Sequence, residues 1–86
     1  MTDKTGSGNY DIRGIVYNAV AEAAGSDLDE LSDTTELITT LNMDSLAIFE
    51  LAIELEEAFK LRIPDEDIDE IKTIGDVISY IENKVV

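Results

Sequence analysis

Apolar residues recur at three- and four-residue spacings in three separate stretches of the chain, and each stretch predicts an amphipathic helix. The first carries Ile12, Ile15, Val16, Ala19, Val20 and Ala23 on one stripe. Asn9 or Asp11 can cap its start, and Gly25 suits the left-handed residue that closes a helix. The second runs from Ser45 to Phe59 behind Asp44 as N-cap. Its broad apolar face gathers Ile48, Phe49, Leu51, Ala52, Leu55 and Phe59, with Glu50, Glu54 and Glu57 on the other side. The third starts at Thr73, where Thr73 and Asp76 have capping-box spacing with aspartate in place of the usual glutamate. Ile74, Val77, Ile78, Ile81 and Val85 form its stripe. Before it, Pro64 followed by Asp65, Glu66 and Asp67 predicts a short helix with proline at its first position, ending near Ile71.

Two segments fall outside this periodicity. Residues 1–8 are polar, with glycine and serine, and predict a flexible lead-in. Ser26 to Met43 is long for a connector, yet it contains Leu28, Leu31, Leu37, Ile38 and Leu41. That spacing predicts a strap packed across the helices, with room for one short helical turn. The fold class is therefore all-α: a single domain over 1–86, built as three main helices plus one short helix, with a long loop between helices one and two. Leu46 and Ile53 sit apart from the core stripe, beside Glu50 and Glu57. They read either as part of a mixed apolar and acidic docking strip or as residues covered by the long loop.

Charge and missing residue types narrow the chemistry. Twenty Asp and Glu against six Lys and Arg give a net charge of −14. That field repels phosphate backbones and excludes nucleic acid as an expected partner, while favouring basic patches on other proteins. Cysteine and histidine are absent, so there are no disulfides, no thiolate or imidazole metal ligands and no nucleophile–histidine pairs. Ser45 lacks a histidine to deprotonate it, and the sequence places neither Lys60 nor Lys72 beside it. Asp65, Asp67, Asp69 and Asp76 fall in part of a calcium-loop register, but Glu70 stands where the sharp turn needs glycine. No stretch reaches membrane-spanning length, and the opening Met1-Thr-Asp-Lys4 lacks an apolar core. The expectation is a cytoplasmic monomer without a membrane or metal partner.

What remains is Ser45 at a helix start, where free N–H groups and the helix dipole favour an attached phosphate although Asp44 opposes it. The stretch Leu41-Asn-Met-Asp-Ser-Leu46, followed by Phe49-Glu-Leu-Ala-Ile-Glu-Leu-Glu-Glu-Ala-Phe59, resembles the central signature of acyl carrier proteins. The resemblance continues through Ile63-Pro-Asp-Glu66 and Ile71-Lys-Thr-Ile-Gly-Asp-Val-Ile-Ser-Tyr-Ile81. It implies that a phosphopantetheinyl transferase attaches 4′-phosphopantetheine to Ser45. It also implies that the arm holds acyl groups as thioesters, and that the chain delivers them without catalysing anything itself. Carried over by position, Asp44, Glu50, Glu56 and Glu57 match the family's acidic recognition residues, and Leu46 and Ile53 the apolar ones. The implied partners are acyl-transferring and acyl-modifying enzymes with basic docking patches, in fatty-acid-type biosynthesis.

For a fatty cargo, Ile48, Leu51, Ala52, Leu55, Phe59, Ile68 and Ile71 are the expected lining of an internal shelter. Asn42, Thr40 and Ala47 depart from the family pattern around the serine and point to a specialised carrier; asparagine can still adopt a left-handed turn at 42. Polyketide, modified-lipid or aminoacyl cargo is the alternative within the family. The alternative from another class is an acidic helical interaction module without an arm.

Overall fold

The computed structural model describes residues 11–85. The lead-in expected over residues 1–8 and the alternative cap Asn9 lie outside the described residues. Four helices follow in order: α1 (Ile12–Ala24), α2 (Ser45–Phe59), α3 (Asp65–Ile68) and α4 (Ile74–Val85), with a 3₁₀ turn at Leu28–Glu30. Among the described residues there is no strand, only an isolated antiparallel bridge between Glu36 and Thr73. The class is all-α, and no helix among the described residues is long and apolar enough to cross a membrane.

Local chemistry sets the helix ends. Asp11 accepts the Gly14 N–H at 3.1 Å, and Gly25 closes α1 in the left-handed region at φ 70°. Thr73 Oγ1 accepts the Asp76 N–H at 3.1 Å while Asp76 Oδ2 accepts the Thr73 N–H at 3.2 Å, so the aspartate completes a reciprocal box. α1 is the central element, packing on both α2 and α4 through its buried Val16, Ala19 and Val20. Leu51 and Leu55 from α2 and Ile74, Val77, Ile78 and Ile81 from α4 complete the buried interior.

The long connector is a strap, as its leucines predicted. Leu31, Leu37 and Met43 are buried, and Leu37 is completely so. Its backbone is pinned to the start of α4: Leu37 N–H donates to Lys72 O at 2.9 Å, Ile74 N–H to Thr35 O at 3.1 Å, and Gly75 N–H to Asp33 O at 2.8 Å. Asp33 also ties the strap to α1, accepting from the Arg13 guanidinium at 2.8 and 3.0 Å and from Tyr17 Oη at 2.6 Å.

Several expectations are corrected. α3 ends at Ile68 rather than near Ile71, because the chain tightens into i→i+3 bonds from Glu70 N–H to Asp67 O and from Ile71 N–H to Ile68 O. Pro64 sits outside it as the extended cap residue. Phe49 is not a core residue but is 46% exposed, since the centre of the buried face lies nearer Leu51 and Leu55. Ile38 in the strap is 60% exposed, and Glu54 is partly buried on the α1 side rather than standing fully outward.

Candidate functional site

Ser45 is the first residue of α2 and is exposed. Three neighbours fix its position. Asn42 makes a left-handed turn at φ 57°, the geometry asparagine tolerates best after glycine. Met43 is buried, and with Ile48 it occupies the two positions of a hydrophobic staple across the helix start. Asp44 is the N-cap, its Oδ1 accepting the Ala47 N–H at 2.8 Å and its carbonyl the Ile48 N–H at 3.0 Å. The Ser45 hydroxyl makes no hydrogen bond to any described residue, and the residue is positioned by its backbone.

The serine opens onto a cavity of about 510 Å³ between the strap, the start of α2 and α3. Ile48, Phe49, Ile68 and Ile71 give it an apolar floor, with Asp65 and Lys72 among its polar lining. Lys72, which the sequence did not place near Ser45, is thus brought to the same cavity, whereas Lys60 stands at the opposite end of α2, about 22 Å away. A second cavity of about 530 Å³ lies farther along the α2–α3 seam and includes Ile53, Arg62 and Glu66.

The remaining candidate residues divide by face. Leu46 is 65% and Ile53 44% exposed, so neither is covered by the strap. Glu50 and Glu57 are exposed near them on α2, which makes the mixed strip contiguous with Ser45. Glu56 differs: it is partly buried, and its Oε2 accepts the Ile63 N–H at 2.8 Å, tying α2 to the connector before α3. Glu54 meets Glu22 of α1, and burial together with that neighbouring carboxylate raises its pKa above the ordinary glutamate range.

A small cavity of about 10 Å³ is lined mainly by buried side chains. Six of the expected lining residues surround it: Ile48, Leu51, Ala52, Leu55, Ile68 and Ile71. Phe59 does not, because it belongs to the far end of α2.

The family described as the phosphopantetheine attachment site matches residues 15–81. The acyl carrier protein of Exiguobacterium sp. is 40% identical over 70 residues, covering 81% of this chain and 89% of its own. That of Bdellovibrio bacteriovorus is 44% identical over 69 residues, covering 80% and 88%, and that of Helicobacter hepaticus 44% over 67 residues, covering 78% and 88%. With relatives this similar over most of both chains, the protein belongs to the acyl carrier protein family, non-catalytic carriers with a covalently attached 4′-phosphopantetheine.

Proposed function

We propose that Ser45 is the residue that bears 4′-phosphopantetheine, and that the chain tethers acyl intermediates and delivers them to partner enzymes of fatty-acid-type biosynthesis. The observation that carries this reading is the exposed Ser45 hydroxyl, which no described residue engages, at a largely apolar surface cavity. The residues fit the group. A phosphodiester on Oγ meets the N-terminal end of α2, where backbone dipoles favour negative charge, with Lys72 in the same cavity. When bound, the arm supplies the thiol that this cysteine-free chain lacks. The chain's own part is to hold the attachment oxygen clear of its surface and to offer apolar cover, which gains about 0.8 kcal/mol for each CH₂ taken out of water.

Partner recognition falls to the strip beside the serine. Asp44, Glu50 and Glu57 provide charge, and Leu46 and Ile53 provide exposed apolar contact. Glu56 contributes through the oxygen not engaged by Ile63. The net charge of −14 steers the carrier, as a cytoplasmic monomer, to phosphopantetheinyl transferase and acyl-handling enzymes with basic patches. Reversal of Glu50 and Glu57 to lysine should slow association and flatten its salt dependence.

The direct test is intact mass after incubation with coenzyme A and a broad-specificity phosphopantetheinyl transferase. Wild type should gain one arm and Ser45→Ala none. Absence of a gain in wild type, with a control carrier modified alongside, would refute the assignment and leave the interaction-module reading.

A further inference from the structure

The backbone of Leu37 joins two segments that are distant in sequence. Its N–H donates to Lys72 O at 2.9 Å, and its carbonyl accepts at 3.1 Å from the N–H of Met43, which leads into Asp44 and Ser45. Leu37 is completely buried, so this junction belongs to the packed body of the protein. Lys72 is held from its other side as well, since its N–H donates to Asp76 Oδ2 at 3.1 Å in the cap of α4. Lys72 and Ser45 are both exposed, and both line the same surface cavity. The main chain therefore sets a lysine and the serine beside one cavity, while the lysine stem stays free to adjust.

Charge singles out this lysine. The chain carries twenty Asp and Glu against six Lys and Arg. Among the described basic residues, Arg13 pairs with Asp33 and Lys84 lies over the Tyr80 ring. Lys60 closes the opposite end of α2, and Arg62 lines the other cavity. Lys72 is the one described cation on the Ser45 cavity, and its ammonium forms no ion pair with a described residue. This holds although Glu36, Asp65 and Asp69 line the cavity too, Glu36 accepting from the Thr39 hydroxyl.

From this we infer that Lys72 is a positioning residue for the arm: its ammonium is the counter-charge of the phosphodiester on Ser45, and it holds the base of the arm toward the connector between α3 and α4. The inference rests on Ser45 as the attachment site. A phosphodiester adds negative charge to a chain of net charge −14, next to the Asp44 carboxylate. The N–H groups that open α2 offset part of that charge. A compact ammonium with three donors offsets more, from a position the backbone has already fixed. An exposed pair of this kind contributes little to the stability of the fold, so its effect is on where the base of the arm sits.

The test attaches the arm to wild type, Lys72→Gln, Lys72→Arg and Lys60→Gln with coenzyme A and a phosphopantetheinyl transferase, and records phosphorus NMR spectra at low and high salt. Lys60→Gln removes the same charge at the far end of α2 and so controls for net charge. The bonds made by residue 72 are main-chain bonds, which all the variants keep. At low salt, wild type, Lys72→Arg and Lys60→Gln should share a broad phosphorus line, and Lys72→Gln should give a narrower line at a different shift, because the base of its arm is no longer held. High salt should move the wild-type line toward that of Lys72→Gln and leave the latter almost unchanged. Phosphorus lines of equal shift, width and salt dependence in Lys72→Gln and Lys60→Gln would overturn the inference. So would side-chain ammonium signals of Lys72 that do not move when wild type receives the arm, a result that needs no substitution. Failure of every protein to gain the arm would overturn the Ser45 assignment as well, and intact mass separates that outcome from the others.

Discussion

Tyr80 Oη donates a 2.6 Å hydrogen bond to Asp67 Oδ2, which ties the four-residue α3 to α4. A helix that short has little stability of its own, so its position depends on such tethers. Burial, the bond to Asp67 and the nearby charges of Asp67, Glu56 and Glu70 push the Tyr80 phenol up to about 12. A folded-state pKa raised above the ordinary value of about 10 gives stability that is complete below about pH 10 and is lost as pH rises toward about 12. Tyr80→Phe should cost about 1 kcal/mol at pH 7 by urea denaturation and should speed amide exchange at Ile68–Ile71. Its stability should also fall less steeply above pH 10 than that of wild type. Tyr17, raised first by its hydrogen bond to Asp33, leaves a residual slope in both proteins.

The contact of Glu54 with Glu22 carries the same sign of pH dependence at lower pH, but it joins two like charges. Burial first, then the Glu22 carboxyl, raises the Glu54 pKa, so the folded state holds that proton more tightly than the unfolded chain does. The resulting stabilisation is present below the ordinary glutamate range and is lost as pH rises through the folded value. At pH 7 the ionised pair is therefore a cost between α1 and α2. Glu54→Gln should raise stability by about 0.2–0.5 kcal/mol at pH 7, a small figure because the site is partly solvated. The gain should vanish below about pH 4, where glutamate is itself protonated. Thermal melts of both proteins at the two pH values check this.

How much of this was legible beforehand follows from which signals are local. Asp44, Gly25 and the Thr73–Asp76 pair act within a few residues, and the helix ends they mark are found there. Periodicity placed Leu51 and Leu55 inside, but a helical wheel gives only relative angles, so it could not tell that Phe49 lies past the edge of the buried face. The strap has no period at all, which is why Leu37 and Ile38, adjacent in sequence, could not be told apart as buried and exposed. Pro64 marks where α3 begins, and nothing comparable marks its end. Lys72 and Arg62 reach their cavities only through tertiary packing. Ser45 stands out as a helix start on physical grounds, but the chemical role proposed for it rests on the resemblance of the surrounding stretches.

Lys60 closes α2 in the left-handed region at φ 56°, a place where glycine avoids the clash of Cβ with the backbone. No local signal marked it, since the position lacks the usual glycine or asparagine. Its N–H still satisfies Glu56 O, so the backbone geometry is set by the cap and not by the lysine side chain. Lys60→Gly should therefore stabilise the fold by about 0.5–1 kcal/mol, the left-handed cost less the extra entropy of unfolded glycine. Lys60→Ala, which keeps Cβ, should give none of that gain. Urea midpoints at unchanged m-value distinguish the two.

Leu37 decides whether the strap is structure or tether. Its side chain is completely buried, its N–H donates to Lys72 O at 2.9 Å, and its carbonyl accepts from Met43 N–H at 3.1 Å. Leu37 therefore joins the core, the start of α4 and the segment that leads into Asp44 and Ser45. Leu37→Ala should cost about 2–5 kcal/mol, the range for a buried leucine that leaves a cavity. An 86-residue chain has only about 4–13 kcal/mol in all at typical stability per residue, so this variant should be partly unfolded at physiological temperature. The neighbouring Ile38→Ala removes a side chain that is 60% exposed and should stay within about 0.5 kcal/mol of wild type. Because the segment that leads to Ser45 keeps its backbone bond to residue 37 but loses that residue's side-chain anchor in the core, Leu37→Ala should also slow arm attachment at the proposed Ser45 under conditions where the variant remains folded. A loss below about 1 kcal/mol for Leu37→Ala would mean that the cavity collapses freely, and the strap would then be a solvated linker and not a part of the core.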